Sequence, residues 1–329
     1  MSKPRTFFRY TRWDAVPALC VVGLVAFTVW TFQAFHSLPS WAVAISFVGM
    51  ALSYVWNLQC LSHNFVHNPF FTWNWLNRAF SVLETVAIGI PHVFYHHYHL
   101  NHHKGDNDKK GPDGTTKDWS SIYRHSHDDK PEGFWKYVLL GYWRVETGPL
   151  LRVVWRHGWK EIAQTVVECL VFAAFWGALA WYDWRYFVYF YLPSYYLGWM
   201  MSYAEGYFEH YGTQPGNPFA NSVSSYHRLY NLLWFNNGYH QEHHWDPKFH
   251  WTRMPELHSR IKDGLESNHT RRLTVPHFFA FLERYLVAPG GSGRASAGAC
   301  GVAPVGVRAV ECATRRSNDN RLFLCPLCP

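Results

Sequence analysis

The sequence predicts an all-α integral membrane protein, with about four transmembrane helices in two hairpins and a cytoplasmic helical cap that carries a di-metal site. The first observation behind this prediction is a set of long apolar stretches, which are uncharged except for Glu168 in the third. The second is an aromatic content of 18 Trp, 20 Tyr and 24 Phe in 329 residues, which is unusual for a soluble protein. The third is a set of three histidine clusters that lie beside the apolar stretches.

The apolar stretches form two pairs. Residues 15–35 and 38–61 contain no Lys, Arg, Asp or Glu, and each stretch is long enough to cross the hydrocarbon core as a helix. A second pair follows at residues 165–182 and 186–204, and only the short polar segment 183–185 separates its members. We therefore expect two helical hairpins.

A further apolar segment covers residues 80–95. It contains Glu84 and Pro91 and is shorter than a helix that crosses the bilayer. We therefore expect a re-entrant or interfacial helix here, and we do not count it as a span.

The distribution of charge predicts the orientation. Basic residues precede the first apolar stretch, and with these held in the cytoplasm only Arg185 of the 30 Lys and Arg residues falls on the outer side. All three histidine clusters then share the cytoplasmic side. The net charge of +7 suits contact with anionic lipid headgroups or an acidic partner protein. No pattern typical of nucleic-acid binding is present in the sequence, so we expect no nucleic-acid partner.

We divide the chain into three parts. Residues 1–14 are predicted to be a cytoplasmic N-terminal segment, and residues 15–289 to be the membrane domain. Residues 290–329 form a tail rich in Gly, Ala and Arg that is predicted to be disordered and that holds four of the seven cysteines.

The histidine clusters predict a metal centre. Residues three and four apart lie on one face of a helix, so each cluster would present its imidazoles together. Eight ring nitrogens exceed the four ligands of a single tetrahedral zinc, and the count therefore favours two metal ions. Imidazole suits iron, copper, zinc and nickel, so ligand type leaves the metal open. The clusters are His63-Asn-Phe-Val-His67, His99-Leu-Asn-His102-His103 and His240-Gln-Glu-His243-His244.

Together these three motifs, mounted on two hairpins, resemble those of the membrane fatty acid desaturase and hydroxylase superfamily. The resemblance covers about residues 10–285 and includes the surroundings of the third cluster, residues 231–247. It implies two iron ions as cofactors, dioxygen as co-substrate, and a further histidine ligand near the end of a late span. The matching candidate is His210, with His227 as the second choice. The implied metal ligands are His63, His67, His99, His102, His103, His210, His240, His243 and His244, with no catalytic residue beyond the metal centre.

The resemblance also implies an activity. We expect oxygen-dependent desaturation or hydroxylation of a fatty acyl chain, presented as a free acid, a thioester or a lipid-linked group. The sequence contains no haem motif, dinucleotide fingerprint or complete iron–sulfur set, so electrons are expected from a separate donor such as ferredoxin, rubredoxin or cytochrome b5 with its reductase. Oxidative decarboxylation of a free fatty acid to a terminal alkene is the chief alternative. A carotenoid oxygenase and a histidine-rich metal transporter are further alternatives.

Other residues have candidate supporting roles. His96 and His97 lie one turn before His99 and are candidates for ligands or for groups behind the ligands. Isolated histidines, including His277, are left unassigned. The aromatic-rich spans are compatible with a narrow apolar tunnel for an acyl chain. Carboxylates expected to orient the imidazoles are Glu205, Glu209, Glu242, Asp106 and Asp246, and cations available for a headgroup are Arg78, Lys104, Arg144 and Arg152.

Overall fold

The computed structural model describes residues 6–283, which are mainly helical. This part of the chain confirms the predicted helical class. The predicted tail at residues 290–329 lies outside the described residues. The helices are α1 (Ala15–Ala34), α2 (Ser40–Trp56), α3 (Ser62–His67), α4 (Asn74–Ile88), α5 (His92–Gly105), α6 (Phe134–Leu140), α7 (Thr147–Arg156), α8 (Trp159–Tyr182), α9 (Trp184–Tyr186), α10 (Leu192–His210), α11 (Arg228–Leu233), α12 (His240–Trp245) and α13 (Met254–Ser267).

A small parallel sheet adds one correction to the all-α prediction. Strand β1 (Ser224–Ser225) pairs with β2 (Arg272–Leu273). Each strand has only two residues, and the partners lie far apart in the sequence. No local alternation of apolar and polar residues could therefore have indicated the pairing.

Three helical runs within the described residues are long and apolar enough to cross a membrane: Arg12–Ala34, Ser40–His67 and Trp159–Tyr182. They correspond to the first three predicted spans. Large apolar side chains such as Leu170 and Trp181 lie exposed on α8, where they are 64% and 87% accessible. Apolar surface of this kind requires a lipid environment, which indicates an integral membrane protein.

The fourth predicted span, residues 186–204, lies in a continuous helical run of α9, a π-helical turn (Phe187–Tyr191) and α10. This run is not among the candidate spans, because its many tyrosines lower its hydropathy. It packs closely against α2, where a Cβ at Gly198 would lie 2.5 Å from Cβ of Tyr54. The helix is present, and a fourth crossing of the membrane stays a prediction.

The first histidine cluster lies on a longer helix than predicted. Helix α2 continues through a π-helical turn (Asn57–Leu61) into α3, which carries His63 and His67. The helix ends only at Asn68, just before Pro69, because proline disfavours helical backbone in the residue that precedes it. The predicted end at residue 61 was therefore too early, and this cluster lies within the membrane-length helix rather than beyond it.

The segment 80–95 also needs correction, because it contains a break. Helix α4 ends at Gly89, whose φ of 70° is left-handed, and α5 begins after Pro91. A side chain at Gly89 would also meet Tyr195, since its Cβ would lie 2.6 Å from that ring. The segment predicted to be a single interfacial helix therefore consists of the end of α4 and the start of α5. Helix α5 also carries the second histidine cluster.

Polar contacts at two places connect the helices of this arrangement. At the hairpin turns, Nε2 of His36 lies 2.6 Å from a carboxylate oxygen of Asp183. Within α8, the fully buried Glu168 accepts hydrogen bonds from the backbone N–H of Val93 at 2.7 Å and from the Ser81 hydroxyl at 2.6 Å. The one acidic residue in the third predicted span is therefore satisfied, and it fixes the start of α5.

Candidate metal centre

The nine predicted histidines lie together in two adjoining groups. Within each group the ring nitrogens that could bind a metal ion lie within 4.8 Å of one another. The groups are in contact, because the ring centres of His103 and His244 are 4.5 Å apart. The five-histidine group is His63, His67, His99, His103 and His243, and the four-histidine group is His102, His210, His240 and His244.

Each H-x-x-H-H motif divides its histidines between the groups. On α5, His99 and His103 belong to the five-histidine group, whereas His102 belongs to the four-histidine group. On α12 the assignment is reversed, and only His243 joins the five-histidine group. Successive residues of a helix differ in direction by roughly 100°, so residue i+4 points about 40° to one side of residue i and residue i+3 points about 60° to the other side. Two adjacent histidines therefore point into two different groups.

The inner nitrogens converge closely. The Nε2 atoms of His63 and His243 are 2.7 Å apart, as are those of His67 and His99, and those of His210 and His240 are 3.3 Å apart. Burial lowers the pKa of His210, His240 and His243 well below the usual range, so these imidazoles are neutral near pH 7. Neutral imidazole is the form that binds metal ions.

Several outer nitrogens face groups that only accept hydrogen bonds. Nδ1 of His102 lies 2.7 Å from Asp118, and Nδ1 of His244 lies 2.7 Å from Asp106. Nδ1 of His210 similarly faces the carbonyl of Asn221 at 3.2 Å. These acceptors place the ring proton on Nδ1 and leave the lone pair of Nε2 directed into the group.

The contact between His102 and Asp118 is supported by charge. Burial alone would lower the pKa of His102, but the carboxylate of Asp118 raises it above its usual value. Burial would in turn raise the pKa of Asp118, but His102 and hydrogen bonds from Ser120 hold it below its usual range. Asp118 is therefore an anion that accepts a hydrogen bond from the protonated Nδ1 of His102.

The donor set fits bound metal ions. Nε2 of His244 is buried and has no hydrogen-bond partner, although its lone pair points into the four-histidine group. Buried lone pairs that face one another are unfavourable unless a cation lies between them. The two groups match the type and number of ligands that two first-row transition metal ions accept.

The other predicted supporting residues divide into two sets. Asp106 contacts the four-histidine group, and Oε1 of Glu209 lies 3.5 Å from Nδ1 of His240. Three others contact no cluster histidine in the described chain: Glu205 accepts from Tyr230, Glu242 faces His258, and Asp246 ends α12.

The remaining histidine candidates lie outside both groups. His97 faces Glu161 at 2.8 Å, and His227 accepts a hydrogen bond at the start of α11. His96 belongs to neither group.

Sequence reasoning missed two residues. Asp118 lies in an irregular loop, and no spacing signal relates it to His102. His277 lies with Glu205 and Glu209 in a third buried cluster, although its position in the sequence resembles that of any isolated histidine.

An apolar cavity of about 140 Å³ adjoins the metal centre. His63 and His99 of the five-histidine group line it, and so do His102, His210 and His240 of the four-histidine group. Six of its other lining residues are aromatic, namely Phe94, Tyr95, Tyr98, Tyr137, Trp199 and Tyr203. A cavity of this composition, open to both groups, suits an apolar chain.

Comparison with known proteins identifies the family. The family model described as fatty acid desaturase matches residues 39–275, a range that contains all nine histidines. No solved structure matches the chain significantly.

The chain also matches curated relatives. A protein of Oryza sativa subsp. japonica named sphingolipid delta(4)-desaturase DES1-like is 26% identical over 265 residues, covering 76% of this chain and 75% of the relative. A sphingolipid delta(4)-desaturase of Schizosaccharomyces pombe is 28% identical over 269 residues, covering 74% of this chain and 70% of the relative. The chain therefore belongs to the fatty acid desaturase family and is an oxidoreductase of the membrane desaturase type.

Proposed function

We propose that this membrane desaturase holds two iron ions, uses dioxygen, and removes hydrogen from unactivated C–H bonds of a fatty acyl or related lipid chain. The observation that carries the proposal is the pair of imidazole groups that open onto one apolar cavity. The proposed ligands are the five-histidine group for one ion and the four-histidine group for the other. When bound, the iron pair supplies the redox chemistry by which dioxygen accepts hydrogen from a C–H bond.

The chain itself orients the histidine rings, binds the lipid chain and shields the centre from water. Asp118, Asp106 and the carbonyl of Asn221 fix the ring planes of three histidines through Nδ1. The aromatic walls hold an apolar chain beside the centre and exclude water from it. Desaturation then balances as one dioxygen, two electrons and two protons consumed, one carbon–carbon double bond formed, and two waters released.

We further propose that the substrate is a long saturated chain attached to a polar headgroup. The names of the relatives specify sphingolipids, which carry such chains. A free acid, a thioester and a lipid-linked chain all offer the same methylene groups. The walls of the cavity contact these methylene groups, and this contact alone does not distinguish one headgroup from another.

We place the centre on the cytoplasmic side, where the positive-inside rule puts most Lys and Arg residues. The net charge of +7 supports docking of an acidic electron donor on that side. A small ferredoxin, a rubredoxin or a cytochrome b5 with its reductase would supply the two electrons.

Oxidative decarboxylation to a terminal alkene begins with the same type of hydrogen removal, but the relatives are named as desaturases and do not favour it. Their names give no support to a carotenoid oxygenase either. A metal transporter is not supported, because the family match indicates an oxidoreductase.

The experiment that tests the proposed function is product analysis. Membranes that contain the iron-loaded protein and a competent electron donor receive deuterated saturated chains of about 12 to 18 carbons, which span roughly half a bilayer. The chains are given as free acids, thioesters and sphingolipid-type amides. New double bonds or hydroxyl groups support the proposal. Volatile alkenes one carbon shorter would instead identify decarboxylation, and the absence of any acyl product would contradict the proposal.

A further inference from the structure

Two members of the four-histidine group, His102 and His244, have outer nitrogens that face carboxylates at close range. Nδ1 of His102 lies 2.7 Å from Asp118, and Nδ1 of His244 lies 2.7 Å from Asp106. The carboxylate of Glu209 lies farther away, 3.5 Å from Nδ1 of His240.

The five-histidine group lacks such partners. Nδ1 of His63 faces the backbone carbonyl of Gln59, at 3.0 Å, rather than a carboxylate. Nδ1 of His103 is buried without a hydrogen-bond partner. Within residues 6–283, no carboxylate lies within ion-pair distance of the five rings. The two groups therefore differ in the negative charge behind their ligands.

Asp118 is the more rigid of the two close carboxylates. It is fully buried and accepts hydrogen bonds from the backbone N–H groups of Asn107 and Ser120 and from the Ser120 hydroxyl. Asp106 is partly exposed and accepts a hydrogen bond from the side chain of Asn221 at 2.6 Å. Both carboxylates are held in place independently of the histidines that they contact.

We propose that Asp118 and Asp106 make the two metal sites chemically unequal, so that the ion in the four-histidine group is the first to be oxidised. This inference rests on the proposed function. A carboxylate that accepts the Nδ1 proton of a ligand imidazole makes that ligand more basic. Its negative charge also favours the higher positive charge of a ferric ion nearby. Asp118 and Asp106 act through His102 and His244 and are therefore positioning residues.

The test uses purified full-length protein loaded with Mössbauer-active iron and titrated with ferricyanide, which accepts one electron for each ferrous ion oxidised. After one electron per chain has been removed, the wild-type spectrum should show one ferric and one ferrous environment. In Asp118→Asn, the Mössbauer parameters of the iron that is oxidised first should change, and that iron should no longer be oxidised before the other. One iron should also bind about 10- to 100-fold more weakly. Asp118→Glu should recover part of the preference.

A matched control is available on the same helix. His97 of α5 lies 2.8 Å from the buried carboxylate of Glu161 and belongs to neither group. Glu161→Gln removes a buried carboxylate from a histidine contact and should leave both iron environments unchanged. Asp106→Asn provides a second variant, should Asp118→Asn fail to fold.

The outcomes separate the inference from the proposed function. If the wild-type protein binds fewer than two irons, the proposed function fails. If it binds two irons that oxidise in indistinguishable environments, only the inference is overturned. The inference is also overturned if Asp118→Asn and Asp106→Asn weaken both irons equally, or if neither variant changes either iron.

Discussion

Asp118 accepts a hydrogen bond from Nδ1 of His102 at 2.7 Å. The backbone of Asp118 also lies directly against Gly105, the last residue of α5, the helix that carries His102. A Cβ atom at residue 105 would lie 2.3 Å from the backbone nitrogen of Asp118 and 2.5 Å from its Cα. The histidine contact of Asp118 therefore depends on a glycine two residues after the second histidine cluster.

Gly105→Ala should displace Asp118 from His102, because the clash involves backbone atoms that cannot turn away. We expect a loss of about 1–3 kcal/mol in stability and weaker binding of one metal ion. Metal analysis and thermal melting of the purified protein measure the two effects. The control is Gly148→Ala on α7, where an added Cβ would have no neighbour within 4 Å. Equal behaviour of the two variants would contradict the structure of this loop.

The cavity gives a second prediction, at Gly206 on α10. This residue lines the cavity, and the nearest atom to an added Cβ is Nε2 of Gln59 at 4.0 Å. Gly206→Leu should fit without disrupting the helix and should fill space required by the lipid chain. We expect turnover to fall at least about tenfold, equivalent to about 1.4 kcal/mol, with metal content unchanged.

Gly206→Ala adds only one methyl group and is the control for this experiment. It should retain most of the wild-type turnover. If Gly206→Leu turns over lipid as fast as the wild-type protein, the cavity is not the substrate site.

The pH dependence of stability gives a third prediction. Burial lowers the pKa of His277 from its ordinary value of 6.5 to about 4. In the unfolded chain this histidine takes up a proton below pH 6.5, whereas in the folded protein it stays neutral until about pH 4. Its contribution to stability is therefore fully present above pH 6.5 and is lost as the pH falls to 4, by about 3 kcal/mol in total.

Thermal melting of the metal-free protein between about pH 7 and pH 4 measures this loss. His277→Gln keeps a donor for the carbonyl of Val223, which His277 contacts at 2.9 Å. This variant should show a weaker decline in melting temperature towards acid pH. An identical decline in both proteins would mean that His277 takes up its proton normally in the folded state.

The orientation in the membrane gives a fourth prediction. Ser37 lies exposed in the turn between α1 and α2, and Ser267 lies exposed at the end of α13. In intact cells, a membrane-impermeant thiol reagent should label Ser37→Cys above the wild-type background. It should label Ser267→Cys only after permeabilisation. The reverse pattern would place the histidines on the outer side.

The sequence predicted the identity of all nine clustered histidines but not their division into two groups. Eight of them follow from spacing, because a helix presents residues three and four apart together. The ninth, His210, was implied by the resemblance to the desaturase and hydroxylase superfamily. The division depends on how α5 and α12 are rotated against each other, and side-chain packing between distant helices determines that rotation. His99 and His240 begin motifs with the same histidine spacing, yet they belong to different groups.

The first three spans could be predicted because long apolar runs with at most one charged residue have few other stable environments. The break between α4 and α5 was less visible, although Gly89 and Pro91 are both present, because the apolar composition continues across them. Asp118 could not have been predicted, because it reaches His102 only when its loop folds back over Gly105.

The most direct test of the central claim is the iron content of the purified protein. We predict two irons per chain in the wild-type protein. Two variants test the groups separately: His67→Ala in the five-histidine group and His210→Ala in the four-histidine group. Each should bind one iron as the wild-type protein does, and should either lack the second iron or release it far more readily than the wild-type protein. A wild-type protein that binds no iron or a single iron when fully loaded, or a His210→Ala variant that holds two irons as tightly as the wild type, would contradict the account.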